Sequence, residues 1–307
     1  MPRSKAYAIY YKSSLSHARR YADAYQQQLV HQYGLAQVEL LASSPDRSKD
    51  IALLQDWLSR NADAEHRECL VIGGDGSVNI VAQCAATVEF EISVIPCGTG
   101  NDFAAGLGIG DWRWRLQSEG ELSRRDLGKA GDCYFVNHAG CGISVALQQL
   151  QSPRAKQVFG RYSYLLALFC YLFTRPSRRC KIARNGTDRK AGFDEFQVAA
   201  ISRRIGGGIV VYPQADTQRQ QIGFLRLPQR ARWRQLNALY WILRQQPERS
   251  ASIDFTEATQ GSLGDQHATI ELDGDTTSLQ GPVNIEIIVG GLAVRRPIHH
   301  KNKGVSL

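Results

Sequence analysis

Apolar and polar positions alternate in two different ways along this chain, and the change falls near residue 125. In the first part, short apolar runs are separated by longer stretches of helical spacing. "AYAIYY" reads as a strand, "SHARRYADAYQQQLVHQYG" from Ser16 as a helix closed by Gly34, and "QVELLA" as a second strand. "DRSKDIALLQDWLSRNA" sets Ile51, Leu54 and Leu58 at helical intervals, with Asp46 as N-cap. "CLVI" is a third strand, "SVNIVAQCAATV" a helix opening near Ser77, "ISVIP" a fourth strand and "NDFAAGLG" a short helix. Strands alternating with helices predict a parallel sheet covered on both faces.

After the change, the runs "CYFVNHAGCGISVAL", "EFQVAAIS", "GGGIVVYP", "GFLRLP", "ATIELDG" and "VNIEIIVGGLAV" are strand-like and broken by glycines and polar turns. Helical patterns persist at Tyr162–Phe173 and around Leu236–Leu243. A mainly antiparallel β domain follows. "GDWRWRLQSEGELSRR" is the expected crossover, dividing the chain into units 1–125 and 126–307.

Composition narrows the class. A chain of 307 residues with 43% hydrophobic and 21% charged residues can bury two cores. "MPRSKAYAIYYK" has no apolar stretch of the secretory type. The run Tyr162–Phe173 is short of the roughly 20 residues that span a bilayer, so a cytoplasmic, soluble protein is expected. The seven cysteines form no CxxC pair, which predicts reduced thiols. The formal charge of +8 is concentrated in Arg175, Arg178, Arg179, Lys181, Arg184, Arg189 and Lys190, and in Arg219, Arg226, Arg230, Arg232 and Arg234. With no nucleic-acid motif present, such clusters suit an anionic membrane surface or anionic substrates, beside the plainer role of a solvated face.

The candidate chemistry lies in two glycine turns. Gly73-Gly74-Asp75-Gly76 ends the third strand and feeds a helix, and "IPCGTGNDFA" (95–104) does the same after the fourth. Ligands of parallel sheets gather at such strand ends. Glycines there let backbone N–H groups approach an anion, and the helix N-terminus adds its own donors. Ser77 and Asn79 offer side-chain hydrogen bonds as well. The lysine of a P-loop is missing.

GGDGSVN (73–79) together with PCGTGNDFA (96–104) resembles the diacylglycerol kinase catalytic-domain family, which includes bacterial lipid kinases and the sphingosine and ceramide kinases. "RRDLGKAGDCYFVNHAGCG" (124–142), "GRYSYLLA" (160–167), "GGGIVVYPQA" (206–215) and "LDGD" (272–275) follow in the family's order. The resemblance implies an α/β fold. Its N-terminal doubly wound parallel-sheet domain carries the nucleotide, and its C-terminal β-sandwich carries a lipid substrate. The last residues pack back on the first domain, and the active site lies in the cleft. It implies ATP contacts from Gly73, Gly74, Asp75, Gly76, Ser77, Val78 and Asn79, from Thr99, and from the turn near Ser43 or Ser44. Mg²⁺ would arrive with ATP, with Asp75 helping to organise it. The family's general base is the glutamate of a DGE motif; the triplet here is Asp273-Gly274-Asp275, which puts the shorter Asp275 in that role.

Three departures accompany the match. The turn after the first strand reads Tyr10-Tyr11-Lys12-Ser13-Ser14 in place of NPxxG, and the glutamate that follows GGDGTxN is Ile80. In the element whose aspartate holds an auxiliary structural magnesium, Arg219 and Gln220 stand where Asp and Gly belong, so that site is expected to be lost, with Arg219 bonding carbonyls near Asp216 in its stead. The resulting expectation is an ATP-dependent lipid kinase acting on a hydroxyl such as that of diacylglycerol, docked peripherally on anionic membrane. An NAD kinase-like enzyme and a catalytically silent nucleotide- or lipid-binding protein stay open as alternatives.

Overall fold

The computed structural model describes residues 5–34, 37–142, 182–183, 193–215, 220–228, 232–266 and 268–298. The expected helix at 162–173, the basic cluster from Arg175 to Lys190, and Asp216 and Arg219 lie outside the described residues.

The N-terminal part runs β1 (Lys5–Tyr11), α1 (Ser16–Tyr33), β2 (Val38–Ala42), α2 (Arg47–Arg60), β3 (His66–Gly73), α3 (Asp75–Ala85), β4 (Glu91–Pro96), α4 (Asp102–Gly106), α5 (Trp114–Gln117) and β5 (Glu121–Ala130). Next come β6 (Cys133–Phe135), β7 (His138–Gly142), β8 (Ile182–Ala183), β9 (Phe193–Ala200), β10 (Arg204–Ile205), β11 (Ile209–Val210) and β12 (Ile222–Pro228). The chain closes with α6 (Arg232–Leu243), β13 (Asp254–Ala258), β14 (Gln260–Leu263), β15 (Thr269–Leu272), β16 (Asp275–Gln280) and β17 (Val283–Arg296).

Strands β2, β1, β3 and β4 pair in parallel in that order. Both faces of this sheet are covered, so Tyr7, Ala8, Ile9 and Tyr10 of β1 are all buried, as an uninterrupted apolar run requires. Helix α1 turns Ala18, Ala22, Tyr25 and Leu29 inward and is closed by Gly34. Helix α2 starts where Asp46 accepts the Ser48 N–H at 2.9 Å, and it buries Leu54, Trp57 and Leu58.

Beyond β4 the same sheet continues through the last strand. β17 runs parallel to β4 and antiparallel to β5, with β14 paired to it and β6 completing the edge. β5 runs through the boundary drawn at 125 and 126. A second, antiparallel sheet has the order β13-β12-β9-β7-β15-β16. Ala139, Cys141, Ala199, Ile222, Phe224 and Ile270 on its inner face meet Ala130, Phe135, Leu263, Val283 and Ile285 of the first sheet's extension. Its outer face packs Val198, Ala200, Leu225 and Leu227 against α6 through Ala238. The molecule is therefore an α/β domain built on a parallel sheet, joined to an antiparallel β domain by the shared strand β17.

Candidate active site

The two glycine turns lie side by side because β3 and β4 are neighbours. Helix α3 begins at Asp75, two residues earlier than the pattern from Ser77 predicted, so the turn is tighter than a separate loop. A Cβ on Gly98 would sit 2.6 Å from the Gly74 Cα, so the loops touch backbone to backbone and no larger residue fits at 98 without displacement. Asn101 holds the second loop in a left-handed conformation (φ 55°); its Oδ1 accepts the Gly98 N–H at 2.9 Å and its Nδ2 donates to the Gly98 carbonyl at 2.7 Å. Thr99 and Gly100 stand exposed at the tip.

Asp75 fastens one loop to the other. Its carboxylate accepts the N–H groups of Asp102 at 3.1 Å and Phe103 at 2.9 Å, capping α4 from another helix, and it also accepts from Asn137 Nδ2 at 3.2 Å. Asp102 then reaches across the cleft, where Oδ2 accepts the Gly207 N–H at 2.7 Å. Burial, with Asp75 alongside, pushes Asp102 up to about 6.

Asn79 differs from the sequence reading. Its side chain is fully buried and donates to the Tyr134 carbonyl at 2.9 Å and to Asp273 Oδ2 at 2.6 Å. Its Oδ1 accepts from Gln83 at 3.0 Å and from Arg47 Nη2. The amide is committed to the interior and is unavailable to an anion. Val78 and Ser77 are buried too, so only backbone or a hydroxyl edge can face a ligand there. The N–H groups of Ser77 and Val78 both bond the Gly74 carbonyl, which leaves the helix mouth at Asp75 and Gly76.

The C-terminal domain contributes the DGD turn. Asp273, left-handed at φ 50°, is buried and accepts the N–H groups of Val136 at 2.7 Å, Asn137 at 2.8 Å and His138 at 3.0 Å. His138 Nε2 pairs with Glu271 Oε1 at 3.1 Å, and Glu271 also takes the Gly274 N–H at 2.7 Å. Burial alone would lower the His138 pKa; the charges and hydrogen bond of Glu271, with Asp273, outweigh it and lift the imidazole to about 9. This network presents Asp275 at the start of β16, half exposed. The Asp275 Oδ2 lies 3.4 Å from where a Cβ on Gly76 would sit and 3.4 Å from Arg47 Nη1. Strand β16 thus brings its carboxylate to the mouth of α3.

Sequence reading missed Arg47, which bridges Asn79 and Asp275 from the first turn of α2. The available signal was its place just past the end of β2, on the ligand side of the sheet. His138 lies within the matching stretch 124–142 without a role attached to it, and Glu271 stands just before the LDGD run. Ser44 is occupied locally: its hydroxyl bonds the Asp46 carbonyl at 2.9 Å and its N–H bonds Asp50 at 2.7 Å. Ser43 is tied to Ser13 of the KSS turn, whose N–H it accepts at 3.0 Å. Ile80 is in the core, with no acid in its place. Next to Arg219, the Gln220 N–H bonds Asp126 Oδ2 at 3.0 Å, and Gly290 N–H bonds Oδ1 at 2.9 Å.

Residues 8–130 match the diacylglycerol kinase catalytic domain. The match spans β1 to β5 and takes in both glycine turns. It is 28% identical over 252 residues to a Cronobacter sakazakii protein named as a probable lipid kinase (YegS-like), covering 78% of this chain and 82% of that one. A Staphylococcus epidermidis lipid kinase relative is 25% identical over 234 residues, covering 71% and 73%. The solved structure of a protein named as a diacylglycerol kinase from Bacillus anthracis str. Sterne superposes with a TM-score of 0.62 at 14% identity, covering 96% of this chain and 98% of that chain. A second structure from the same organism gives 0.70 at 15%, covering 96% of both. At these identities the structural likeness is one of fold. Among the described residues no helix is long and apolar enough to cross a membrane.

Proposed function

We propose that the cleft between the glycine loops and the DGD turn transfers the γ-phosphoryl group of ATP to a lipid hydroxyl such as that of diacylglycerol. The chain is a lipid kinase of the diacylglycerol kinase type. The observation that carries the reading is the approach of Asp275, from the far end of the sequence, to the opening turn of α3 at Gly76. Phosphoryl transfer requires positioning, charge neutralisation and removal of one proton, and these two elements divide that work.

Residues 1–125 form the nucleotide-binding unit in this account and 126–307 the lipid-substrate unit. The backbone at Gly74, Asp75 and Gly76 faces the phosphates, with Thr99 at the tip of the second loop, while Gly73, Ser77, Val78 and Asn79 shape this turn from within and Ser44 shapes the neighbouring one. Asp275 accepts the proton of the attacking hydroxyl. Arg47 holds Asp275 in place and adds positive charge near the phosphates. Asp75 acts first as the clamp that keeps both loops in register. The carboxylate of Asp75 is a hard oxygen donor of the kind that suits the Mg²⁺ carried by ATP, which would neutralise phosphate charge. The protein works on the cytoplasmic face of a membrane, held there peripherally.

The test is transfer of labelled phosphate from ATP into vesicles containing diacylglycerol, with NAD offered in parallel. Label in a phospholipid product supports the proposal. Label in NAD alone, or ATP binding with no transfer to any lipid in a total extract, contradicts it.

A further inference from the structure

Helix α6 exposes apolar side chains that take no part in the cores formed by the described residues. Trp233 is 65% exposed, Tyr240 53%, and Leu236 and Leu243 50% each. At 3.6 residues per turn these four fall within an arc of about 80°. Ala238 and Ile242 occupy the opposite side and pack against the second sheet near Val211, Tyr212 and Leu225. The helix is thus apolar toward the core and apolar again toward solvent. A contiguous exposed patch of this kind marks a contact surface rather than a folding requirement.

Charge identifies the partner. From Arg226 to Arg244 the chain contains no Asp or Glu. Arg234 and Arg244 are exposed beside the stripe, and the Arg234 guanidinium sits 4.9 Å from the centre of the Trp233 ring. Arg249 lies 5.6 Å from the Trp241 ring. Aromatic and leucine side chains bordered by arginines match the boundary between acyl chains and anionic headgroups. A second copy of the chain fits less well. Four side chains fall short of the roughly 800 Å² per partner of a stable interface, and a two-fold contact would bring like-charged arginines together.

The stripe is also connected to the cleft. Helix α6 packs beside the β10–β11 hairpin, with Ile205 and Ile209 in the same cluster as Ala238. The turn of that hairpin supplies the Gly207 N–H that meets Asp102.

We propose that the exposed face of α6, formed by Trp233, Leu236, Tyr240 and Leu243 with Arg234 and Arg244, docks on an anionic lipid bilayer and sets the cleft against the membrane. The orientation of the cleft rests on the lipid kinase reading; the binding itself does not.

The experiment uses the full chain with vesicles of phosphatidylcholine alone and of phosphatidylcholine with an equal part of phosphatidylglycerol. Wild type should partition to the mixed vesicles, and Trp233→Ser with Leu236→Ser should lower that partition by about tenfold or more at unchanged melting temperature. Brominated acyl chains should quench the wild-type tryptophan fluorescence, and Trp233→Phe should remove most of that quenching while still binding. Transfer to monomeric short-chain diacylglycerol should survive in the double variant. If wild type shows no transfer to that substrate yet the double variant loses vesicle binding, the docking face stands and the kinase reading falls. Equal vesicle binding by wild type and double variant overturns the proposal. So does a sedimentation result in which the substitutions break a dimer and leave vesicle binding unchanged.

Discussion

Three charged side chains support the cleft around Asp275, and each makes a separate demand. Arg47 joins Asn79 to Asp275. Hydrogen bonds to charged groups contribute about 1.5–3 kcal/mol, so Arg47→Ala should lower kcat/KM by roughly tenfold or more, read by steady-state kinetics. Its partial exposure means that the melting temperature should move little. Asp102 is held near 6 against an ordinary 3.8 by burial first and Asp75 second. The folded state therefore keeps that proton longer than the unfolded chain, and stability falls as pH rises from about 4 to about 6. Asp102→Asn keeps an acceptor for Gly207 and should gain on the order of 2–3 kcal/mol at pH 7, measured by denaturant midpoints across pH. His138 acts in the same direction at higher pH. Raised from 6.5 to about 9, it contributes fully below about 6.5 and its contribution disappears as pH rises through about 9, an alkaline loss that His138→Gln should abolish.

At the scale of elements, the site depends on Asp75 capping a helix other than its own. Asp75→Ala should cost about 1–2 kcal/mol, as loss of a cap does, and should speed hydrogen exchange at the Asp102 and Phe103 amides. Asp75→Asn, which keeps one acceptor oxygen, should recover part of that protection. Unchanged exchange in Asp75→Ala would remove the clamp from this account. What could be read from sequence followed local rules. Gly34 closes α1, Asp46 opens α2, and both glycine turns sit at strand ends. The start of α3 was misplaced because Asp75-Gly76 has loop composition yet takes helical geometry. "GGGIVVYP" looked like a full strand, but only Ile209–Val210 pair, since the three glycines, all at positive φ, form the turn. The inward turn of Asn79 was illegible: its partner Asp273 is 194 residues away, and no local pattern announces a contact made by tertiary packing. Arg47 escaped for the same reason.

Across the whole molecule, β17 decides cooperativity. It supplies Leu292 and Val294 to the core of the parallel sheet and Val283 and Ile285 to the core of the antiparallel domain. A strand shared by two cores should make them unfold together. Fluorescence and far-ultraviolet circular dichroism should give coincident denaturant transitions, and two separated transitions would show that the domains are energetically independent. The same sharing fixes the distance across the cleft, because β16, which carries Asp275, leads directly into β17. The most direct measurement is therefore Asp275→Asn, assayed for ATP affinity by calorimetry and for phosphoryl transfer to diacylglycerol in one experiment. A proton acceptor held beside a separate nucleotide cradle predicts unchanged ATP affinity and transfer lowered by about 100-fold or more. Transfer within a few-fold of wild type would contradict the account and move the base elsewhere in the cleft.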